Sequence, residues 1–321
     1  MIVKERKFPI KIKKRAALHR RIKEDHPKRE LITSDFNKSL AGYKGEKSVD
    51  YFLNYFPTNE FHIFHDLRLP HEDYHFQIDT LLLSNSFALI LEVKNIYGTL
   101  FFDSDFNQLI RTTKEDIEEC FPDPILQVKR QRLQLLHWIH SKYNLTIPVE
   151  CFVVISNSSS IIKTNNHELT PEIVIHSHAL IDKIEIIKCK YKNDKIDNTK
   201  RRRITKHLLN NHEPGSFPVL ERYDISKQDI INGVVCPSCQ KLSMIRKHAT
   251  WLCIHCYHVD KYAHQNAIDD YFLLFDSPIN NKLARDYLKI DSIYTANRLL
   301  QSMNLDQSGS TKGKLYHPPP N

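Results

Sequence analysis

Glu92 and Lys94 set a carboxylate and an ammonium two residues apart at the end of an apolar run, Phe87-Ala88-Leu89-Ile90-Leu91. Side chains in a strand alternate with a period of two, so both charges leave one face and Val93 leaves the other. A run that is apolar at every position reads as a central strand covered on both faces, where an unpaired charge is costly. Thirteen positions upstream of Glu92, Asp79 interrupts a second apolar run, Phe76 to Leu83, and Ser84-Asn85-Ser86 is a tight turn between the two. A hairpin through that turn lays Asp79 across from Glu92 and Lys94. Two carboxylates beside an ammonium suit a hard, oxygen-seeking Mg2+ or Mn2+ ion. Asp79 and Glu92 anchor it, phosphate oxygens complete its shell, and Lys94 orients a metal-acidified water or neutralises charge developing at phosphorus. The same residues also read as a structural ion-pair network, Glu92 with Lys94 and Asp79 with a nearby Lys or His.

The elements that must position these groups follow from periodicity. Ala41-Gly42-Tyr43-Lys44-Gly45-Glu46 opens a helix continued by Val49, Tyr51, Phe52, Leu53 and Phe56, with Glu46 expected in its first turn, where a carboxylate suits the helix dipole. Strands are expected over 61–69, through Asp79, through Glu92 and over 98–102. Asp123-Pro124 supplies an N-cap with proline at the first helical position, and the helix from Ile125 to about Tyr143 carries Gln127, Arg130 and Gln131 on one face. Cys151 to Ile155 and Glu172 to Ile175 read as closing strands. Helix, several strands, helix and strand make an α/β sandwich.

Gly42-x-x-Gly45-Glu46, Phe76-Gln77-Ile78-Asp79-Thr80-Leu81-Leu82, Glu92-Val93-Lys94-Asn95 with Gly98 after it, and Pro124-x-x-Gln127 together resemble the nuclease-related domain, NERD. The resemblance covers about residues 38–180. It implies the α/β fold of the PD-(D/E)xK restriction-endonuclease-like nucleases, a mixed central sheet flanked by helices. It also implies a site in which Glu46, Asp79, Glu92 and Lys94 form the core and Gln127 faces them. Glu46 then binds a second metal, or the first through water, and Gln127 positions the attacking water or a phosphate oxygen. Ile78 stands where the superfamily's name has proline, which leaves the metal ligand intact. Many nucleases of this fold cut two strands as dimers, so a homodimer is one arrangement the resemblance allows.

Farther along, Cys236-Pro237-Ser238-Cys239, thirteen residues, and Cys253-Ile254-His255-Cys256 form a two-knuckle, four-cysteine pattern similar to a zinc ribbon. Four thiolates leave no open position, which makes the Zn2+ structural. His248, His255 and His258 are alternative ligands or surface imidazoles, and Cys120, Cys151 and Cys189 are isolated. Three helices are then expected, 267–275, 281–288 and 292–303, followed by a β-wing. The pattern is similar to a winged helix, with Ser292, Tyr294, Thr295, Asn297 and Arg298 facing a nucleic-acid groove; three-helix packing without nucleic acid is the alternative.

The chain of 321 residues is 41% apolar, which builds two or three domains with real cores. No stretch of about 18 apolar residues is present, and the charged first residues do not resemble a secretory segment, so a cytoplasmic protein without a membrane partner is expected. Residues 1–30 hold twelve Lys/Arg against four Asp/Glu, the whole of the net charge of +8. Lys13, Lys14, Arg15, Arg20 and Arg21 thus form a basic arm for phosphates or a solvated surface helix. The expected order is a basic arm (1–37), a nuclease-related α/β domain (38–185), a basic linker or excursion (186–230), a zinc-ribbon-like module (231–262) and a helix-turn-helix or winged-helix-like module (263–321). A metal-dependent nuclease acting on DNA rather than RNA is the function expected of that set. A catalytically silent nucleic-acid-binding or regulatory protein is the alternative.

Overall fold

The computed structural model describes residues 1–318. Residues 1–7 and Leu40–Gly215 make a first unit, and Phe8–Ser39 with the chain from Ser216 onward make a second. In chain order, β1 (Ile2–Lys4), α1 (Ile10–Arg21) and α2 (Arg29–Leu53) come first. They lead to β2 (His62–His71), β3 (Tyr74–Leu83), β4 (Ala88–Lys94), β5 (Thr99–Asp103), β6 (Gln108–Thr112) and β7 (Glu118–Pro122). Next are α3 (Pro124–Tyr143), β8 (Val149–Ile155), β9 (Ile161–Thr164), α4 (Thr170–Ile173), β10 (Val174–His176), α5 (Leu180–Lys190) and α6 (Asn198–Asn210).

The first unit is mixed α/β. Its six-stranded sheet runs β1-β2-β3-β4-β8-β10. β2, β3 and β4 are antiparallel neighbours, while β1 joins β2, and β8 joins β4 and β10, in parallel. The two-residue alternation of β4 sorts its side chains between two layers. Ala88 and Ile90 pack with Ile125, Val128 and Leu135 of α3 and with Ile204 and Leu208 of α6. Leu89, Leu91 and Val93 pack with Val49 and Leu53 of α2 and with Leu180 and Ile184 of α5. Each fully buried Leu or Ile in these layers contributes about 1.5–3 kcal/mol. Residues 99–103 lie outside this sheet, in a second one ordered β7-β6-β5-β9.

Two local expectations are corrected. α2 begins at Arg29, so Glu46 lies well inside the helix and not in its first turn. Gly42 and Gly45 suggested a boundary, yet Gly45 serves close packing: a Cβ there would stand 2.4 Å from Asn95 Cβ. The stretch 186–230, read as a linker, contains α6, capped by the Asp197 carboxylate accepting from the Lys200 N–H at 2.7 Å. Ile204 and Leu208, four residues apart, form its buried stripe, and Arg201 is also buried, donating to the carbonyls of Glu60 and Asn59.

The second unit holds α1, the first part of α2, α7 (Val219–Arg222), β11 (Met244–Lys247), β12 (Thr250–Cys253) and β13 (Val259–Asp260). α8 (Ala263–Phe275), α9 (Asn281–Leu288), α10 (Ile293–Gln301), β14 (Asp306–Ser308) and β15 (Leu315–His317) follow. β11-β12-β13 is an antiparallel sheet and β14-β15 a hairpin. Asn280 and Ser292 cap α9 and α10 through the N–H groups of Leu283 and Thr295. Leu18, Trp251, Ile268, Leu300 and Tyr316 share the core.

Candidate metal centres

β3 and β4 pair as far as Thr80 and Leu91, and beyond that point the Asp79 carboxylate replaces a strand partner. Its Oδ2 accepts the Val93 N–H at 3.0 Å. The hairpin therefore brings Asp79 to Glu92. Glu92 is buried on the α3 side, and three donors meet its carboxylate. Oε1 accepts from Lys94 Nζ at 2.7 Å and from Gln127 Nε2 at 2.6 Å, and Oε2 accepts from Gln131 Nε2 at 2.8 Å. Lys94 Nζ also donates to Gln127 Oε1 at 3.0 Å, closing a triangle of Glu92, Lys94 and Gln127. The helical i, i+4 spacing aims Gln127 and Gln131 at one carboxylate. Gln131 Oε1 is buried without a hydrogen-bond partner.

Glu46 and Asp50 project from α2, and Arg6, just after β1, occupies the space beside them. Its Nη1 donates to Glu46, and its Nε and Nη2 clasp the two oxygens of Asp50 at 2.9 and 3.0 Å. Nη2 also meets His65 Nδ1 and Thr80 Oγ1, each at 2.9 Å. Burial pushes His65 down to about 4, with Arg6 and Lys4 adding to the effect and Asp50 opposing it. The ring is therefore neutral near pH 7, and Nδ1 accepts from Arg6.

Asp79 carries the electrostatic tension of the site. Burial, then the charges of Glu92 and Glu46, raise its carboxyl well above the ordinary carboxylate range, while the Val93 N–H and Lys94 offset part of this. Hard oxygen donors that repel one another fit a hard divalent cation, whose charge would favour ionised Asp79. Glu46 does not close with Asp79 and Glu92 into one ligand cluster. Among the described residues, the only group of three or more His, Cys, Asp or Glu whose ligand atoms all lie within 4.8 Å of one another is Cys236, Cys239, Cys253 and Cys256.

In that cluster the sulfurs of Cys236 and Cys256 are 3.6 Å apart and those of Cys239 and Cys253 are 3.7 Å apart. A tetrahedral Zn–S bond of about 2.3 Å implies sulfur separations of about 3.8 Å. The arrangement is compatible with a zinc ribbon. Burial works against a Cys253 thiolate, but Ser243 and the N–H groups of Cys256 and His255 outweigh it and bring this thiol down to about 5. Cys236 moves the other way, pushed up to about 11, chiefly by burial. A shared cation would hold all four as thiolates.

The basic residues of 1–37 are less available than their sequence suggested. Arg21 is fully buried, donating from Nε to Asp270 Oδ2 at 2.8 Å and from Nη1 to the Gly233 carbonyl at 3.0 Å, with its guanidinium 4.6 Å from the centre of the Tyr287 ring. Lys14 is buried against Asp276 at 2.5 Å. Arg15 donates to Tyr223 Oη and Ser39 Oγ at 2.8 and 2.7 Å. These three hold the second unit together, which corrects their reading as phosphate ligands. Lys13, Arg20 and Arg298 are exposed, although Arg20 also reaches Asp270.

Sequence reasoning missed Arg6, His65 and Asp50 and left Gln131 without a role; only Gln131, at i+4 from Gln127, had a local signal. No helix among the described residues is long and apolar enough to cross a membrane. Neither a curated protein nor a solved structure matches the chain. The family comparison does: residues 41–156, which contain Glu46, Asp79, Glu92, Lys94 and Gln127, match the family model of the nuclease-related domain, NERD.

Proposed function

We propose that the chain hydrolyses phosphodiester bonds in DNA, using a divalent metal ion held by Asp79 and Glu92. The reading rests on the meeting of Asp79, Glu92, Lys94 and Gln127 where β3 and β4 part, inside a domain matched to a nuclease-related family. A Mg2+ or Mn2+ ion bound there supplies Lewis-acid charge and a water of lowered pKa. Lys94 provides positive charge for the phosphoryl oxygens or the attacking water. Gln127 ties Lys94 to Glu92 and fixes the direction of both, and Gln131 holds the second Glu92 oxygen on the α3 side. Asp79→Ala and Glu92→Ala are each expected to abolish Mg2+- or Mn2+-dependent DNA cleavage. Cleavage by either purified variant at the wild-type rate sinks the proposal.

The second unit, in this reading, binds nucleic acid. Zn2+ on Cys236, Cys239, Cys253 and Cys256 has a structural role, and α9 and α10 with the β14-β15 hairpin act as a helix-turn-helix with a wing. Tyr294 is 88% exposed, and Arg298 lies four residues on from it on α10. Loss of one phosphate contact in Arg298→Ala should lower the salt dependence of DNA binding by about one counterion.

A second reading is favoured by the hydrogen bonds around Glu92, where three protein donors already engage both oxygens of one carboxylate. There the domain is a catalytically silent nucleic-acid-binding protein. Mn2+ binding that disappears in Asp79→Asn, together with cleavage, separates the first reading from this one.

A further inference from the structure

Arg6 brings the permanent charge of a guanidinium into the acidic end of the first unit, and its side chain is only 4% exposed. Two helix carboxylates and two strand groups surround it: Glu46, Asp50, His65 and Thr80. Thr80 pairs with Leu91, a member of the α2–α5 layer, whereas Glu92 turns to Gln127 and Gln131 of α3. Glu46 and Glu92 therefore belong to opposite faces of the sheet, with Asp79 at the gap between β3 and β4. The fork geometry is also specific. Asp50 receives two parallel N–H bonds, one on each oxygen, while the other nitrogen reaches Glu46 Oε2, so three of the four oxygens of these carboxylates already accept from Arg6.

Building on the metal-site reading, we infer that Arg6 is a resident cation standing where a second metal ion would otherwise bind, so that the site takes one divalent ion, at Asp79 and Glu92. Glu46 and Asp50 are then ligands of Arg6, not of the metal. The local charges agree with this count: with Asp79 ionised, as a bound cation would hold it, four carboxylates (Glu46, Asp50, Asp79, Glu92) against Arg6 and Lys94 leave a net charge of −2, which one divalent ion neutralises. Replacing Arg6 with a neutral residue leaves −3 and two helix carboxylates without their cation.

The test is a count of bound Mn2+ by electron paramagnetic resonance on the full-length chain with its thiolate site kept zinc-loaded. One Mn2+ per wild-type chain, lost in Asp79→Asn, is expected. Arg6→Met should bind a second Mn2+, which is lost again in the Arg6→Met/Glu46→Gln double variant. Two ions in the wild type with one lost in Glu46→Gln, or a single ion in folded Arg6→Met, overturns the inference and leaves the metal reading intact. If Arg6→Met does not fold, Glu46→Gln decides alone: an unchanged count of one supports the role of Arg6, and a lower count refutes it. No ion lost in Asp79→Asn overturns the metal reading itself, and the inference with it.

Discussion

Gly42 and Gly45 lie one helical turn apart in α2, and alanine at the two positions should act in opposite directions. At Gly42 a Cβ would meet nothing within 4 Å. Gly42→Ala therefore gains only the helix preference of alanine, about 1 kcal/mol. At Gly45 the new carbon would stand 2.4 Å from Asn95 Cβ and 2.7 Å from Ser156 Oγ. Relaxed carbon contacts lie at about 3.5–4.0 Å, so the two sides must separate by about 1 Å. Asn95 Cβ cannot rotate away, its amide is held by the Ala41 carbonyl at 2.7 Å, and the Ser156 N–H is bonded to the Lys94 carbonyl at 3.0 Å. The displacement thus falls on α2. Overpacking of this kind costs about 1–3 kcal/mol, which cancels or exceeds the helix gain. Urea denaturation should place Gly45→Ala about 1–3 kcal/mol below Gly42→Ala. The next residue, Glu46, would shift with the helix, so Gly45→Ala should also loosen the Arg6 contacts. Equal stability of the two variants would refute the claim that α2 is pressed against the ends of β4 and β8.

Other perturbations test the two metal centres and the charged core. Asp79 has a folded-state pKa raised by burial and by Glu92 and Glu46, so its ionisation opposes folding as pH rises above the unfolded value near 4, and the penalty is complete above the folded pKa. With zinc present and no Mg2+ or Mn2+ added, Asp79→Asn should melt higher than the wild type at pH 8, and the gap should close toward pH 4; a lower melting temperature at pH 8 contradicts the assignment. About one zinc per chain is expected in the wild type and none in Cys256→Ser, whose Trp251 fluorescence should shift to the red because that ring is fully buried in the same core as Cys236 and Cys253; equal zinc content in the two rejects the thiolate site. Asp270→Ala leaves the buried Arg21 guanidinium without its carboxylate and should cost about 3–5 kcal/mol. Lys13→Ala, at an exposed position on the same helix, should change stability by no more than about 0.5 kcal/mol, and comparable losses from the two would deny Arg21 its structural role.

The acidic site was legible in the sequence as far as local rules reach. Period-two alternation and a three-residue turn were enough to relate Asp79 to Glu92 and Lys94, and an Asp-Pro cap fixed the helix that brings Gln127. Arg6 was hidden because its partners are 40 to 74 residues away and depend on β1 lying parallel to β2. Lys14 and Arg21 looked like phosphate ligands for the same reason, since Asp276 and Asp270 are 262 and 249 residues distant. α6 was obscured by its own charge: three consecutive arginines drew attention from Ile204 and Leu208. In α2 the segment Ala41 to Glu46 read as the opening of a helix, whereas the helix begins at Arg29 and Gly45 serves close packing.

The layers over the sheet bear on where this protein can be cut. Residues 41–156 retain Asp79, Glu92 and Gln127 but omit β1, β10, α5 and α6. A fragment with those ends would bare the β2 and β8 edges and uncover apolar side chains on both faces that Leu180, Ile184, Ile204 and Leu208 now shield. It would also lack Arg6, and with it the positive charge between Glu46 and Asp50. The span that marks the family is thus shorter than the span that folds, and an excised domain faithful to the intact protein needs residues 1–7 supplied alongside Leu40–Gly215.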